Sequence, residues 1–120
     1  MLNLDTHILI YFLGGELTAR EQDLMARDDW AISDIVLWEM AKLAERGRVE
    51  LDFDSAEFRL LYRSLNVIPI TPEIARASIR MDFSSDPADE IIAATSLVEK
   101  IPLLTRDRRI SKSGIVLFAH

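Results

Sequence analysis

The sequence predicts an α/β fold in which helices flank a mostly parallel sheet. Short apolar runs alternate with segments of helical periodicity along the chain, which is typical of βα units. A hydrophobic content of 49%, with only four glycines and four prolines, indicates a folded chain. No repeat, low-complexity stretch or linker divides the sequence, so we expect a single domain over residues 1–120.

The N-terminal segment predicts a strand followed by two helices. Leu2–Leu4 is a short apolar strand, and His7–Leu13 has the apolar density of a buried helix that ends at Gly14–Gly15. A second helix begins after Thr18, because Glu21 three residues later completes a capping box.

A strand and two further helices follow. Trp30–Ile32 is a short strand, and Ser33 is placed to cap a helix over Asp34–Arg46 that stops before a glycine. Asp54 and Glu57 repeat the capping pattern, which predicts a helix over the run EFRLLYRSL.

The last part of the chain predicts three strands and two helices. Val67–Ile70 is rich in β-branched residues and reads as a buried strand. A cap, a proline and a first-turn acid at Thr71–Glu73 start one helix, and Asp86–Asp89 starts the next. Leu103–Leu104 and Ile115–Phe118 are the remaining predicted strands.

Four acidic residues stand where this fold brings distant segments to one edge. Asp5 follows the first strand, and Asp107 comes shortly after Leu103–Leu104. Asp89 lies in the first turn of its helix, and Glu39 lies far enough into its own helix to reach back. Open parallel sheets place ligand sites beyond the carboxyl ends of their strands, so we expect the four acids to meet there.

Clustered carboxylates repel one another and raise each other's pKa. A hard divalent cation with oxygen ligands, Mg²⁺ or Mn²⁺, relieves this repulsion and also binds phosphate. The acids therefore predict a metal-dependent enzyme that acts on phosphodiesters, with either one or two bound ions.

Each acid also has a purely structural interpretation. Asp5 and Asp86 are favoured helix caps, Asp89 is a first-turn acid, and Asp107 fits a turn. Glu39 is the least easily explained in this way, because it lies on an apolar helix face where an unpaired charge is costly.

Polar residues beside the acids have two interpretations as well. The hydroxyls of Thr6 and Thr105 either orient a carboxylate or cap a helix. Arg106, Arg108 and Arg109 form a basic cluster that either contacts RNA phosphates or remains a solvated loop.

The composition excludes several classes of protein. The absence of cysteine excludes disulfides and thiolate metal sites and suits the reducing cytoplasm, where we place the chain. There is no apolar run of about 18 residues, so no membrane span is expected. A formal net charge of −6 argues against a simple nucleic-acid-binding protein. If the acids hold a metal, an RNA or DNA substrate remains possible, with weak long-range electrostatic steering.

Four segments, in this order, resemble the PIN domain, most closely the small VapC-type toxins of bacterial toxin–antitoxin pairs. They are LDTHILIYFL, SDIVLWEMAKL, DPADEIIAATSL and LLTRD, and the resemblance covers Leu2–Phe118. It implies a three-layer sandwich with a central, mostly parallel sheet. The family's catalytic and metal-binding quartet carries over to Asp5, Glu39, Asp89 and Asp107, with Asp86 as an accessory acid and Thr105 as the hydroxyl after the last strand.

The resemblance also implies an activity and partners. It implies an endoribonuclease that uses Mg²⁺ or Mn²⁺ to cut tRNA, rRNA or mRNA and so inhibits translation and growth. A cognate antitoxin would fill a groove along Ile8–Leu13 and Thr18–Arg27, and a homodimer is expected. Glu90 departs from the family, which commonly has Arg there, and the change bears on the antitoxin contact or the substrate path.

Two other functions compete with this one. A non-catalytic PIN-like module that binds RNA or protein would be favoured by a missing acid, and none is missing. A phosphoacceptor receiver domain has a similar size and β/α alternation. It needs an Asp after a central strand and a Lys after the last parallel strand, and neither is present.

Overall fold

The computed structural model describes residues 1–120 and confirms the α/β fold as a three-layer sandwich with a central sheet between helices. The strands are β1 Leu2–Leu4, β2 Trp30–Ser33, β3 Asn66–Ile68 and β4 Leu103–Leu104. The helices are α1 Thr6–Leu13, α2 Ala19–Ala26, α3 Ile35–Glu45, α4 Ala56–Ser64, α5 Pro72–Ser78, α6 Pro87–Glu99 and α7 Arg108–Ser111.

The four strands form a single sheet in the order β3-β2-β1-β4, and every pair is parallel. Asn3 in β1 is in register with Ala31 on one side and Leu103 on the other. Because β1 is flanked on both sides, the residue that follows it, Asp5, emerges at the middle of the carboxyl edge. This is the edge at which parallel sheets bind ligands.

A buried polar contact joins the sheet to the helix that carries Asp89. The side chain of Asn3 is fully buried, and its amide donates to the carbonyl of Ile92 at 3.1 Å and to the hydroxyl of Ser96 at 2.9 Å. The middle of α6 is thereby tied to β1 by hydrogen bonds. The hydrophobic core includes Leu4, Ile8, Ile32, Met40 and Ile92.

The helix starts follow the predicted capping signals with two adjustments. The Thr18–Glu21 capping box is present, and Thr71 caps α5. Ser55, not Asp54, caps α4, because its hydroxyl accepts from the amide of Phe58 at 3.1 Å. Ser33 ends β2, and its hydroxyl accepts from the amide of Ile35 at 3.3 Å.

The prediction for the C-terminal segment was wrong. Residues 115–118 do not form a strand but make a single parallel bridge, Leu103 to Phe118. β4 is only two residues long, so it has few backbone groups with which this segment can pair. The short helix α7 was not predicted, since one turn in the basic run RRIS carries no periodic signal.

None of the helices has the length and apolar character needed to span a membrane.

Candidate metal centre

Three carboxylates from distant parts of the chain meet at the carboxyl edge of the sheet. Asp5, Glu39 and Asp89 each offer one oxygen, and these oxygens lie within 4.8 Å of one another. Asp5 is 4% exposed, and the other two are half-buried. Their positions after β1, within α3 and in the first turn of α6 are the ones that the sequence predicted to converge.

Asp5 both caps a helix and faces the centre. Its Oδ1 accepts from the backbone amide of Thr6 at 2.8 Å, which caps α1. Its Oδ2 accepts from the hydroxyl of Thr105 at 2.6 Å. The two interpretations of Asp5 are therefore compatible, because each uses a different carboxylate oxygen.

Thr6 connects Asp5 to Glu39. The side chain of Thr6 is fully buried, and its hydroxyl donates to Oε1 of Glu39. One residue at the start of α1 therefore contacts two acids, one through its amide and the other through its hydroxyl. This contact sets the direction of the Glu39 side chain across the space between α1 and α3.

Asp89 is held by a hydroxyl that sequence reasoning did not select. Ser85 donates to Oδ2 of Asp89 at 2.7 Å from just before α6. Ser84 and Asp86 are adjacent and also polar, so residue type alone did not distinguish Ser85. Asp86 stands at the cap position of α6, is exposed, and makes no side-chain capping bond.

The three carboxyls have elevated pKa values for a shared reason. Burial raises the pKa of Asp5, Glu39 and Asp89, and repulsion among the acids adds to this effect. Hydrogen bonds from Thr105, Thr6 and Ser85, respectively, act in the opposite direction. None of the three carboxylates has a Lys or Arg within ion-pair distance. A bound cation would stabilise their charged forms.

Asp107 lies beside the centre but outside the group of three. Its Oδ1 caps α7 by accepting from the amides of Arg109 at 2.8 Å and Ile110 at 3.2 Å. Its charge is still close enough to raise the pKa of Asp5 and Asp89. The structure thus brings three of the four predicted acids into one group and places the fourth at its border.

The basic cluster divides into one paired and two free guanidinium groups. Arg106 binds Glu21 through two hydrogen bonds of 2.7 Å and lies 3.9 Å above the ring of Tyr11. Arg108 and Arg109 are exposed and make no ion pair. The contact between Glu21 and Arg106 was not predicted, because 85 residues separate the partners.

Comparison with known proteins gives the same family as the sequence motifs. The family model described as PIN domain matches residues 3–115. Ribonuclease VapC22 of Mycobacterium tuberculosis is 31% identical over 114 residues, which cover 89% of this chain and 87% of that protein.

Solved structures with low sequence identity share the fold. A toxin–antitoxin complex from Klebsiella pneumoniae has a chain that matches with a TM-score of 0.74 at 22% identity, covering 100% of this chain and 98% of that chain. FitAcB from Neisseria gonorrhoeae matches with a TM-score of 0.72 at 18% identity, covering 100% and 97%. VapBC2 from Rickettsia felis, bound to a promoter DNA fragment, matches with a TM-score of 0.71 at 17% identity, covering 98% and 97%.

Proposed function

This chain belongs to the PIN domain family, in its VapC-type branch, and from that premise we propose that it is a metal-dependent endoribonuclease, the toxin of a toxin–antitoxin pair. It would hydrolyse phosphodiester bonds of tRNA, rRNA or mRNA and so inhibit translation and growth. The main support for this proposal is the group formed by Asp5, Glu39 and Asp89, three carboxylates with no Lys or Arg within ion-pair distance. The relative named as a ribonuclease supports the substrate class.

The donor set fits a hard divalent cation. All three groups offer carboxylate oxygen, and neither sulfur nor imidazole is among them, which suits Mg²⁺ or Mn²⁺ better than softer metals. Asp5, Glu39 and Asp89 would hold the ion. When bound, it would neutralise charge on the scissile phosphate and acidify a water molecule.

The surrounding hydroxyls would orient the three metal-binding carboxylates. Thr105, Thr6 and Ser85 each donate to one of the three carboxylates, which limits the rotation of those side chains. Such outer contacts orient ligands and help to set metal affinity. Asp107 and Asp86 add negative charge at the border of the centre, which favours retention of a cation.

RNA would approach over the exposed part of the basic cluster. Arg108 and Arg109 are exposed on α7, directly after Asp107, where they would contact backbone phosphates. Arg106 is a weaker candidate for this role, because Glu21 already occupies its guanidinium. With a net charge of −6, attraction of RNA from a distance would be weak, so binding would depend on local contacts.

A groove beside the centre suits the proposed antitoxin. It has a volume of about 830 Å³ and begins at His7. Along it, Glu16, Glu50, Asp52 and Glu57 outnumber Arg48, and apolar side chains of α1 form part of the wall. A segment with basic and apolar side chains would complement this lining. The groove uses α1, as expected, and its other wall comes from the residues after α3 and the start of α4.

The remaining parts of the proposal concern assembly and location. We propose a homodimer in which residues 1–120 of each copy form one domain. We also propose the cytoplasm as its location, since the RNA substrates are found there.

Cleavage of a mixed tRNA and rRNA pool by antitoxin-free protein tests the proposal. Discrete cuts are expected with Mg²⁺ or Mn²⁺, and none with EDTA or with Asp5→Asn, which keeps the amide-accepting oxygen that caps α1. Asp23→Asn, an exposed change on α2, is the matched control and should cut normally. Normal cutting by a folded Asp5→Asn protein would contradict the assignment. Binding of RNA without any cutting would favour a non-catalytic module.

A further inference from the structure

An ion pair outside the proposed metal centre is connected to it through consecutive residues. Arg106 stands between Thr105, whose hydroxyl donates to Asp5, and Asp107, which borders the acidic group. Its Nε donates to Oε2 of Glu21 and its NH2 group to Oε1, both at 2.7 Å. The pair therefore clamps the middle residue of the segment that carries both site contacts.

The clamp is supported on several sides. The NH2 group of Arg106 also donates to the carbonyl of Glu16 at 3.0 Å, and its guanidinium lies 3.9 Å above the ring of Tyr11. A planar guanidinium with a two-point carboxylate contact and an aromatic face below it has little freedom to rotate. Arg106 thus connects the segment after β4 with α1, α2 and the turn between them.

Glu21 is itself immobilised, which makes it an effective anchor. Its side chain is 6% exposed, and its Oε1 also accepts from the amide of Thr18 at 2.9 Å as part of the capping box of α2. The Arg106 contact is the main reason that the pKa of Glu21 is lowered to about 2. In the folded protein near neutral pH, Glu21 is therefore charged, and its side chain is held in place.

The segment after β4 needs such an anchor, because the strand before it is short. β4 has two residues, and the α7 turn that follows has four. Within the segment, the amide of Asp107 donates to the hydroxyl of Thr105 at 3.0 Å, so the two residues move as a unit. A displacement at Arg106 would be passed to both of its neighbours.

We infer that the Glu21–Arg106 ion pair is a positioning device that holds Thr105 and Asp107 against the acidic group. Neither partner touches the reacting atoms. The pair acts through the hydroxyl of Thr105 on Asp5 and through the charge of Asp107. Its effect on metal binding rests on the proposed function, whereas its effect on the segment does not.

Two measurements on the full chain test this inference. The first is hydrogen exchange of the Asp107 and Ile110 amides in metal-free protein, since Thr105 and Asp107 accept from these amides. The second is Mn²⁺ affinity, followed by electron paramagnetic resonance. We expect Glu21→Gln and Arg106→Gln each to speed exchange at both amides and to weaken Mn²⁺ binding about tenfold.

Further variants separate positioning from general destabilisation. The double variant Glu21→Gln/Arg106→Gln should lose no more Mn²⁺ affinity than either single variant, because the two residues act as one unit. Arg106→Lys, which keeps the charge but loses the fork, should fall between the parent and Arg106→Gln. Asp23→Asn, which removes an exposed acid from the same helix, is the control and should leave Mn²⁺ affinity unchanged.

The outcomes are distinguishable. Unchanged exchange at Asp107 and Ile110 in Glu21→Gln would overturn the inference. Faster exchange with unchanged Mn²⁺ affinity would also overturn it, because the pair would then be only structural. If the parent chain bound no Mn²⁺ at all, the proposed metal dependence would fail, and the exchange result alone would decide whether the pair holds the segment.

Discussion

Asp5 and Glu21 are both nearly inaccessible to solvent, but Asp5 lies deeper in the protein, and the pKa values of the two acids shift in opposite directions. Asp5 is 4% exposed and Glu21 is 5% exposed, yet the pKa of Asp5 is raised, whereas the pKa of Glu21 is lowered to about 2. Asp5 receives hydrogen bonds from a hydroxyl and an amide and has other acids nearby. Glu21 receives two hydrogen bonds from a guanidinium.

A basic partner accounts for the low pKa of Glu21. Burial alone penalises a carboxylate, and a basic partner more than offsets the penalty at Glu21. At Asp5 no Lys or Arg does so, and a cation from outside the chain would stabilise its charged form. Glu21, which is paired within the chain, has a structural role, whereas the group of Asp5, Glu39 and Asp89 could hold a cation.

The largest expected difference between the acidic group of Asp5, Glu39 and Asp89 and the Glu21–Arg106 ion pair is in RNA cleavage. Asp89→Asn removes one of the proposed metal ligands and should lower the rate on the order of 10²–10³-fold, the scale of losing one charge-stabilising group. Glu21→Gln should lower it about tenfold, since it acts only through positioning. Single-turnover cleavage with Mn²⁺ measures both. Equal losses would remove the distinction between the two acids.

A smaller effect is expected when a hydroxyl contact of the centre is removed. Thr105→Val keeps the side-chain shape but loses the donor to Asp5, so Mn²⁺ affinity should fall about tenfold. Thr95→Val is the control, because the buried hydroxyl of Thr95 donates to the carbonyl of Ile91 within α6. Calorimetric titration with Mn²⁺ compares them. Equal affinities would show that the Thr105 contact does not orient Asp5.

The two regions should affect stability in opposite directions as the pH changes. Folded Asp5, Glu39 and Asp89 bind protons more tightly than in the unfolded chain, so the free energy of unfolding of metal-free protein should fall as the pH rises through their raised pKa values. Glu21 contributes stability above its ordinary pKa of 4.5, and this contribution is lost as the pH falls toward 2.

Thermal unfolding in EDTA between pH 4 and 8 measures this dependence. Asp5→Asn should flatten the decline at higher pH, with a midpoint raised by about 4 °C for each kcal/mol gained. Added Mn²⁺ should remove the decline in the parent chain, because the cation then balances the charges. A flat metal-free profile would contradict the elevated pKa values.

The smallest expected effect distinguishes Arg106, which is paired, from Arg108 and Arg109, which are not. Arg108→Gln with Arg109→Gln should raise KM about twofold to fivefold and reduce the salt dependence of cleavage, because phosphate contacts would be lost. Mn²⁺ affinity should not change, in contrast to Arg106→Gln. Arg76→Gln with Arg80→Gln, which removes the same charge from exposed positions elsewhere, is the control. A fall in kcat alone would argue against phosphate contacts.

Much of the fold could be predicted from local patterns. The bounds of β1 and β4 and the caps at Thr18 and Thr71 follow from residue types close in sequence. The strand expected at residues 115–118 failed because pairing depends on the length of the neighbouring strand, which apolar content does not report. Helix α7 was missed because one turn is too short for periodicity.

Part of the candidate site could also be predicted from the sequence. Asp5, Glu39 and Asp89 were placed together because each has a defined position relative to a strand end or helix start, and parallel topology brings those positions to one edge. The sequence alone therefore determined the fold class, the family and the group of acids. These depend on short-range patterns and on an order of elements that few topologies satisfy.

The polar contacts of the acids could not be predicted from the sequence. Ser85 binds Asp89, Arg106 binds Glu21 instead of remaining free, and Asp107 caps α7 at the border of the group. These contacts depend on the direction of a side chain and on distances of a few ångströms. Residue type and spacing leave both open, and packing of the whole chain determines them.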